Sequence, residues 1–416
     1  MAESATPSNL LARFGEILLI LLLASAIAAW AVWVNLETPY LAFSMAAAFL
    51  FHVRSKPPLK ELALALGIGA VLAGIRLAVV PRNPHDYAGF VAAMAGLGSF
   101  LVLGVRAIRS SGIERKRLFV LLGPALGLVF FIFSAQRALN LADLLYPKTF
   151  DLYLYTFDGS LGFEPSFLMG QLFHHSVVIR EIGLLAYATL PLVMALVYAG
   201  WIDPHATKPA WYILELFFLA GFLGWAFYNF VPGTGPAYAF AGLFPERGLS
   251  YNLLHRLLLE RVPVSANFPR NAIPSLHMGW VLLLWWSCRR FSRWARAAAF
   301  LYLLITVMAT LGTGEHYFID LVVAAPFALM VEALCQSALP FRRRLAPLLT
   351  GLLMTVAWLS LIRFGTPLML HSRLIPWGLI VISTVAAFFV EHRTLGLHTV
   401  EASAADSGAL AAAASV

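Results

Sequence analysis

Charge is scarce in this sequence, and cysteine is nearly absent. Only 12% of the 416 residues are Asp, Glu, Lys or Arg, against about 25% in ordinary soluble domains. A water-soluble enzyme of this length is excluded on that ground, and so is a disordered chain. The two cysteines, Cys288 and Cys335, both lie at the ends of apolar runs, which excludes a disulfide framework and a cysteine-bound metal cluster. No internal repeat is visible, which counts against a secondary transporter built from repeats. What is abundant is apolar surface: 60% of residues are hydrophobic and the mean hydropathy is +0.80. The net charge of +8 then reads as membrane topology rather than nucleic-acid binding.

A bilayer core takes about 20 apolar residues per helix. Twelve runs are candidate spans: 15–36, 39–53, 61–80, 88–106, 118–136, 179–201, 210–230, 275–288, 296–314, 316–337, 346–362 and 374–391. The second is short enough to be re-entrant. The first begins like a signal peptide, with Arg13 and small residues at 24–26, but its apolar stretch runs on to Val34, as an uncleaved anchor does. The expected fold is all-α, a polytopic membrane helical bundle of about 12 transmembrane helices. More than half of the basic residues fall in loops of one parity: Arg54 to Lys60, Arg106 to Arg117, Lys208, Arg289 to Arg296, and Arg342 to Arg344. Those loops, and both termini, are expected in the cytoplasm. Two long loops, 137–178 and 231–274, face the other side, and loops of that size are usually functional. Within them, 140–163 and 249–262 are amphipathic enough to lie in the interface over a site. Ala63 with Gly67 and Ala70 with Gly74 have the spacing of close helix packing.

Two short stretches concentrate the ionisable groups at span ends, where such groups are costly and often functional. The first, Arg270-Asn-Ala-Ile-Pro-Ser-Leu-His277, leads into a span. Pro274 suits a helix start, which puts Ser275 and His277 in a first turn whose backbone N–H groups suit a phosphate. Arg270 is placed to add a bidentate contact. The second, Gly312-Thr-Gly-Glu-His-Tyr-Phe-Ile-Asp320, sets His316 and Asp320 four residues apart, on one face of a helix. A carboxylate on one ring nitrogen makes the other a better nucleophile or base. Both stretches open spans on the outer side, so His277 and His316 are expected to meet at one depth. Isolated histidines such as His52, His205, His255, His371 and His392 are expected to be interfacial polar residues only.

Pro274-Ser275-Leu276-His277 followed by His316-x3-Asp320 resembles the type-2 phosphatidic acid phosphatase superfamily. Leu276 in the first motif and the run His-Tyr-Phe-Ile-Asp in the other are most similar to its inositolphosphotransferase branch, which includes inositol phosphorylceramide synthases. Pro232-Gly-Thr-Gly-Pro-Ala-Tyr238 stands where that branch carries a Pro/aromatic motif, which marks Tyr238 as a substrate-binding candidate. The resemblance implies a six-helix catalytic core at 117–338. It leaves an N-terminal membrane region at 1–116, two further helices at 339–391 and a disordered cytoplasmic tail at 392–416. The phosphatase pattern also has a Lys-x6-Arg-Pro segment, absent here, and a Ser-Arg pair where this chain has Ala309 and Thr310. Arg270 and Lys148, with Arg137 or Arg180, are the candidates to replace those cations, and the departure favours transferases over simple phosphatases.

The resemblance implies the following roles. His316 attacks phosphorus, Asp320 orients it, and His277 protonates the leaving oxygen and then deprotonates the acceptor. A phosphohistidine intermediate results. Arg270 and the backbone at Ser275 to His277 hold the phosphoryl oxygens. The expected partners are a lipid phosphate donor and a lipid hydroxyl acceptor; water as acceptor would make the protein a lipid or polyprenyl phosphate phosphatase. A non-enzymatic transporter with a His/Asp proton relay is the third class. No cofactor or metal is implied. The expected location is a bacterial inner membrane, with the site on the periplasmic or outer face.

Overall fold

The computed structural model describes residues 39–79, 87–202, 210–246, 248, 254 and 259–396. The run 15–36, Lys208, His205, His255, residues 397–416 of the tail and most of 249–258 lie outside the described residues. In chain order the helices are α1 (Pro39–Arg54), α2 (Leu59–Val79), α3 (Tyr87–Arg109) and α4 (Gly112–Leu145). A short strand β1 (Lys148–Thr149) follows, then α5 (Asp151–Ser160), α6 (Pro165–His175), α7 (Val177–Ala188), α8 (Leu190–Trp201), α9 (Trp211–Tyr228) and the single turn α10 (Pro236–Ala239). Strand β2 (Val262–Pro263) precedes α11 (Leu276–Ser287), α12 (Arg293–Gly312), α13 (Phe318–Cys335), α14 (Phe341–Met369) and α15 (Leu374–Glu391). Among the described residues eight helices are long and apolar enough to cross a membrane: α2, α3, α4, α9, α12, α13, α14 and α15. That is compatible with a multi-pass integral membrane protein.

Two of the expected spans have a different form. The run 179–201 is two helices, α7 and α8, broken at Thr189. Pro191 lies in the first turn of α8, the place in a helix where a missing N–H costs least. The run 275–288 becomes α11, of 12 residues. At ~1.5 Å per residue it reaches about 18 Å, well short of a hydrocarbon core of about 30 Å.

The chain divides into two compact units. One holds the described residues up to Phe133 together with Ala188–Ala210. In it α3 packs against α1 and α2, and α1 against α8. Gly96 and Gly98 of α3 make this possible: a Cβ on either would lie 2.0 Å from a backbone carbonyl oxygen, Met45 and Ala65 respectively. A Cβ on either expected packing glycine, Gly67 or Gly74, would meet nothing within 4 Å among the described residues. Close packing on α2 is carried instead by Gly69, against the Met94 carbonyl. His52 is not a surface polar group either. It is fully buried, with Nε2 at 3.0 Å from Glu61 and Nδ1 at 3.3 Å from the Ser99 hydroxyl.

The other unit comprises Ser134–Tyr187 and the chain from Trp211 onward. Its axis is α13, packed by α9, α11, α14 and α15 and buried over nearly its whole length. The segment expected to lie as a flap at 140–163 is inside this unit. Eight of the ten residues of α5 are buried, and its Leu154 and Phe157 pack in one core with Ile319, Val323, Trp358 and Ile362. A helix so apolar gains more from burial against α13 and α14 than from an interface. The two long loops meet in a two-stranded antiparallel ribbon, Lys148 opposite Pro263 and Thr149 opposite Val262.

Candidate active site

Three loops that are distant in sequence are stitched together by backbone hydrogen bonds. Ala272 N–H donates to the Gly233 carbonyl at 2.9 Å, and Ala237 N–H donates to the Gly314 carbonyl at 2.9 Å. Ser275 N–H donates to the Asp320 carbonyl at 3.0 Å. The Pro232–Tyr238 stretch thus lies directly on the loop before His316. Gly235 is required there: its φ is +96°, and a Cβ would stand 2.3 Å from the Glu315 carbonyl oxygen.

These bonds bring the ring centres of His277 and His316 to 6.4 Å. His277 is the second residue of α11, whose N-cap is Ser275; the Ser275 hydroxyl accepts from Met278 N–H at 3.4 Å. His316 and Asp320 do not share a helix face, because α13 begins only at Phe318, behind Tyr317 as N-cap. They meet through a capping arrangement. The Asp320 carboxylate accepts from Tyr317 N–H at 2.8 Å and faces His316 Nδ1 at 3.4 Å. His316 Nδ1 is also 2.9 Å from the Ala272 carbonyl oxygen. A carbonyl only accepts, so Nδ1 carries the ring proton and Nε2 carries the lone pair. Nε2 is buried and has no hydrogen-bond partner among the described residues.

Beneath this centre, α5 presents two buried carboxylates seven residues apart. Asp151 accepts from Thr234 N–H, Gly235 N–H and the Thr234 hydroxyl at 2.9–3.1 Å, and from the Tyr317 hydroxyl at 2.9 Å. Asp158 accepts from Phe318 N–H at 2.6 Å and Ile319 N–H at 3.1 Å, the first two amides of α13. Those amides have no partner inside their own helix. Burial drives the Asp158 pKa well above the ordinary carboxylate value, against the pull of the two N–H donors. On the other side, Tyr187 stacks on His277 with ring centres 3.8 Å apart, and its hydroxyl donates to Glu315.

The remaining expected site residues are placed as follows. Tyr238 donates its hydroxyl to the same Glu315, and burial followed by that carboxylate pushes its pKa up to about 12. Ser275 gives its N–H to the Asp320 carbonyl, and its hydroxyl accepts as the α11 cap, which leaves the O–H proton as its donor toward a phosphoryl oxygen. Arg270, expected to hold phosphate, is fully buried and gives Nε to Tyr146, Nη1 to Ser265 and Phe268, and Nη2 to Val264, all backbone carbonyls. These bonds make it a clasp between the two long loops rather than a phosphate fork. Lys148 is exposed on β1, with no contact to the histidines among the described residues.

Residues 152–334 match the model of the PAP2 superfamily. The matched stretch runs from α5 to the end of α13 and contains all three stitched loops, and it stops before α14 and α15. No curated protein and no solved structure matches the chain. Asp151, Asp158, Tyr187 and Glu315 were not singled out by the sequence. For the two aspartates a signal existed, since carboxylates seven residues apart in so aromatic a stretch fall on one helix face.

Proposed function

We propose that this chain is an integral membrane phosphotransferase that acts on lipid-linked phosphate through a phosphohistidine on His316, with a lipid hydroxyl as final acceptor. The observation that carries the proposal is the His316 ring, whose Nδ1 is held by the Ala272 carbonyl while Nε2 has no hydrogen-bond partner among the described residues. The lone pair of Nε2 attacks phosphorus in line. The bond from phosphorus to the leaving oxygen breaks, and His277 supplies the proton to that oxygen. The new charge on the His316 ring is balanced by Asp320. In the second half, neutral His277 takes the proton of the acceptor hydroxyl, whose oxygen displaces Nε2. The 6.4 Å between ring centres supports this division of labour. It leaves room for one phosphoryl group at near-attack distances of about 3–3.5 Å. The charge pattern of the loops supports a reaction on the outer face of the membrane.

The test is His316→Ala in purified full-length protein, assayed for transfer of a labelled headgroup and for phosphate release, with acid-labile, base-stable label on the wild-type protein as the sign of phosphohistidine. The variant is expected to lose both activities by at least 10³-fold. Turnover retained in His316→Ala removes the proposed nucleophile. Phosphate release without transfer in the wild type reassigns the acceptor to water.

A further inference from the structure

We propose that Arg261 and Arg363 form a binding site for the phosphate of an anionic lipid, at the same end of the bundle as the histidines. Their guanidinium carbons lie 5.9 Å and 5.3 Å from the centre of one ring, Phe150. Arg363 is also 5.3 Å from the Phe230 ring and 5.5 Å from Phe364, and donates Nη1 to the Phe230 carbonyl at 2.7 Å. Neither guanidinium meets a carboxylate among the described residues. The two cations are no further apart than the sum of their distances from the Phe150 ring centre, and an anion that meets both lowers their mutual repulsion. The register of the ribbon sets Phe150 next in line beside Arg261.

The position selects the ligand. α14 runs back along α13, and its outer residues Leu359, Ile362 and Met369 share a core with Tyr317 and Ile319. Arg363 therefore lies level with the first turn of α13. Next to it on this membrane-length helix, Phe364 and Leu368 are 74% and 56% exposed. A ligand here meets two forked guanidiniums that match phosphate oxygens, beside apolar side chains that match acyl chains. Phe150 N–H is tied to the Pro232 carbonyl at 2.8 Å, and the next residue, Asp151, holds Thr234 and Gly235. The site thus borders the loop that covers His316, yet it does not require His316 to be the nucleophile.

The experiment uses the full-length chain in dodecyl maltoside, in a His316→Ala background so that no lipid is turned over. Dioleoyl phosphatidic acid, dioleoyl phosphatidylcholine and inorganic phosphate are titrated, with retained lipid counted by native mass spectrometry and protection read by thermal shift. Phosphatidic acid is expected to bind and protect, and phosphatidylcholine and inorganic phosphate to do so at least tenfold more weakly. Arg261→Gln with Arg363→Gln is expected to weaken phosphatidic acid binding at least tenfold. Unchanged affinity in that double variant overturns the site, and protection by inorganic phosphate equal to that by phosphatidic acid overturns the lipid assignment. Should the double Gln variant lack a cooperative melt, Arg261→Lys with Arg363→Lys keeps both charges and loses the forks. Several-fold weaker binding then supports the proposal, and wild-type affinity overturns it. Phosphatidic acid binding that persists in His316→Ala and weakens only when the two arginines are also replaced separates this site from the catalytic proposal.

Discussion

The Asp320 carboxylate is fully buried. One oxygen serves Tyr317 N–H and faces His316, and the other has no hydrogen-bond partner among the described residues. Such a group is costly in the resting protein and becomes favourable when a positive charge develops beside it. Asp320→Asn keeps an oxygen for the Tyr317 amide and removes the buried charge. The expected outcome is a kcat lower by about 10²–10⁴-fold, as for loss of an orienting carboxylate, with KM little changed and a melting temperature equal to or above that of the wild type. Steady-state kinetics and thermal melts on one preparation check both halves. A variant that melts lower and turns over normally would make Asp320 a capping residue only. Tyr187 calls for a finer distinction. Tyr187→Phe keeps the stack on His277 and gives up the bond to Glu315, at about 0.5–1.5 kcal/mol. Tyr187→Leu gives up both. If the stack positions His277, the Phe variant retains most of its kcat, while the Leu variant loses kcat and shifts the pH–rate profile. Equal losses in the two variants would transfer the role to Glu315.

At the level of the element, α5 is a brace under α13. Asp158 holds the first two amides of α13, and its raised pKa gives stability a pH dependence of known sign. The folded carboxyl keeps its proton to a higher pH than the unfolded one, so this contribution is complete below the ordinary value of 3.8 and is lost as pH rises through the folded pKa. Melting temperature is therefore expected to fall as pH rises from about 4 through the raised pKa, and Asp158→Asn is expected to flatten that slope. The variant also leaves one α13 amide unsatisfied, for a loss of about 1–3 kcal/mol. Melts at several pH values in one detergent read both effects. The long apolar spans were legible in the sequence because length and hydropathy are one-dimensional properties. The brace was not, because the partner of a buried carboxylate is set by packing. Pro191 inside the run 179–201 and the Gly-Thr-Gly before His316 did signal a break and a loop, yet the length of the apolar runs around them outweighed that signal. The approach of the two histidines was legible for a different reason: His277 stands in the first turn of α11 and His316 just before the N-cap of α13, and helix starts carry local marks such as Pro274 and Ser275.

Across the whole of the second unit, polar groups gather at two ends and serve different purposes. The histidine end keeps one ring nitrogen, His316 Nε2, without a hydrogen-bond partner among the described residues. At the opposite end, beyond the last turn of α11, Arg289 pairs with both oxygens of Glu391 at the end of α15. Glu332 of α13 is buried near them and receives the Tyr212 hydroxyl of α9 at 3.4 Å. One layer thus ties α9, α11, α13 and α15 together, and it recruits an arginine that the loop-charge pattern had marked only as a sign of orientation. Glu391 is buried, so loss of its Arg289 partner strands a charge away from water, whereas loss of both partners does not. Arg289→Met leaves Glu391 buried without a cation and is expected to cost about 3–5 kcal/mol. Arg289→Met with Glu391→Leu replaces the pair with apolar volume and is expected to recover most of that loss. Denaturant titration of the wild type, both single variants and the double variant gives the coupling directly. Because the pair lies at the end of α11 remote from His277, the double variant is expected to keep the KM and the pH–rate profile of the wild type. A double variant as unstable as Arg289→Met would mean that the layer holds the helices through its charges. A double variant that is stable but inactive would mean that this end sets the spacing of the two histidines through the length of α11.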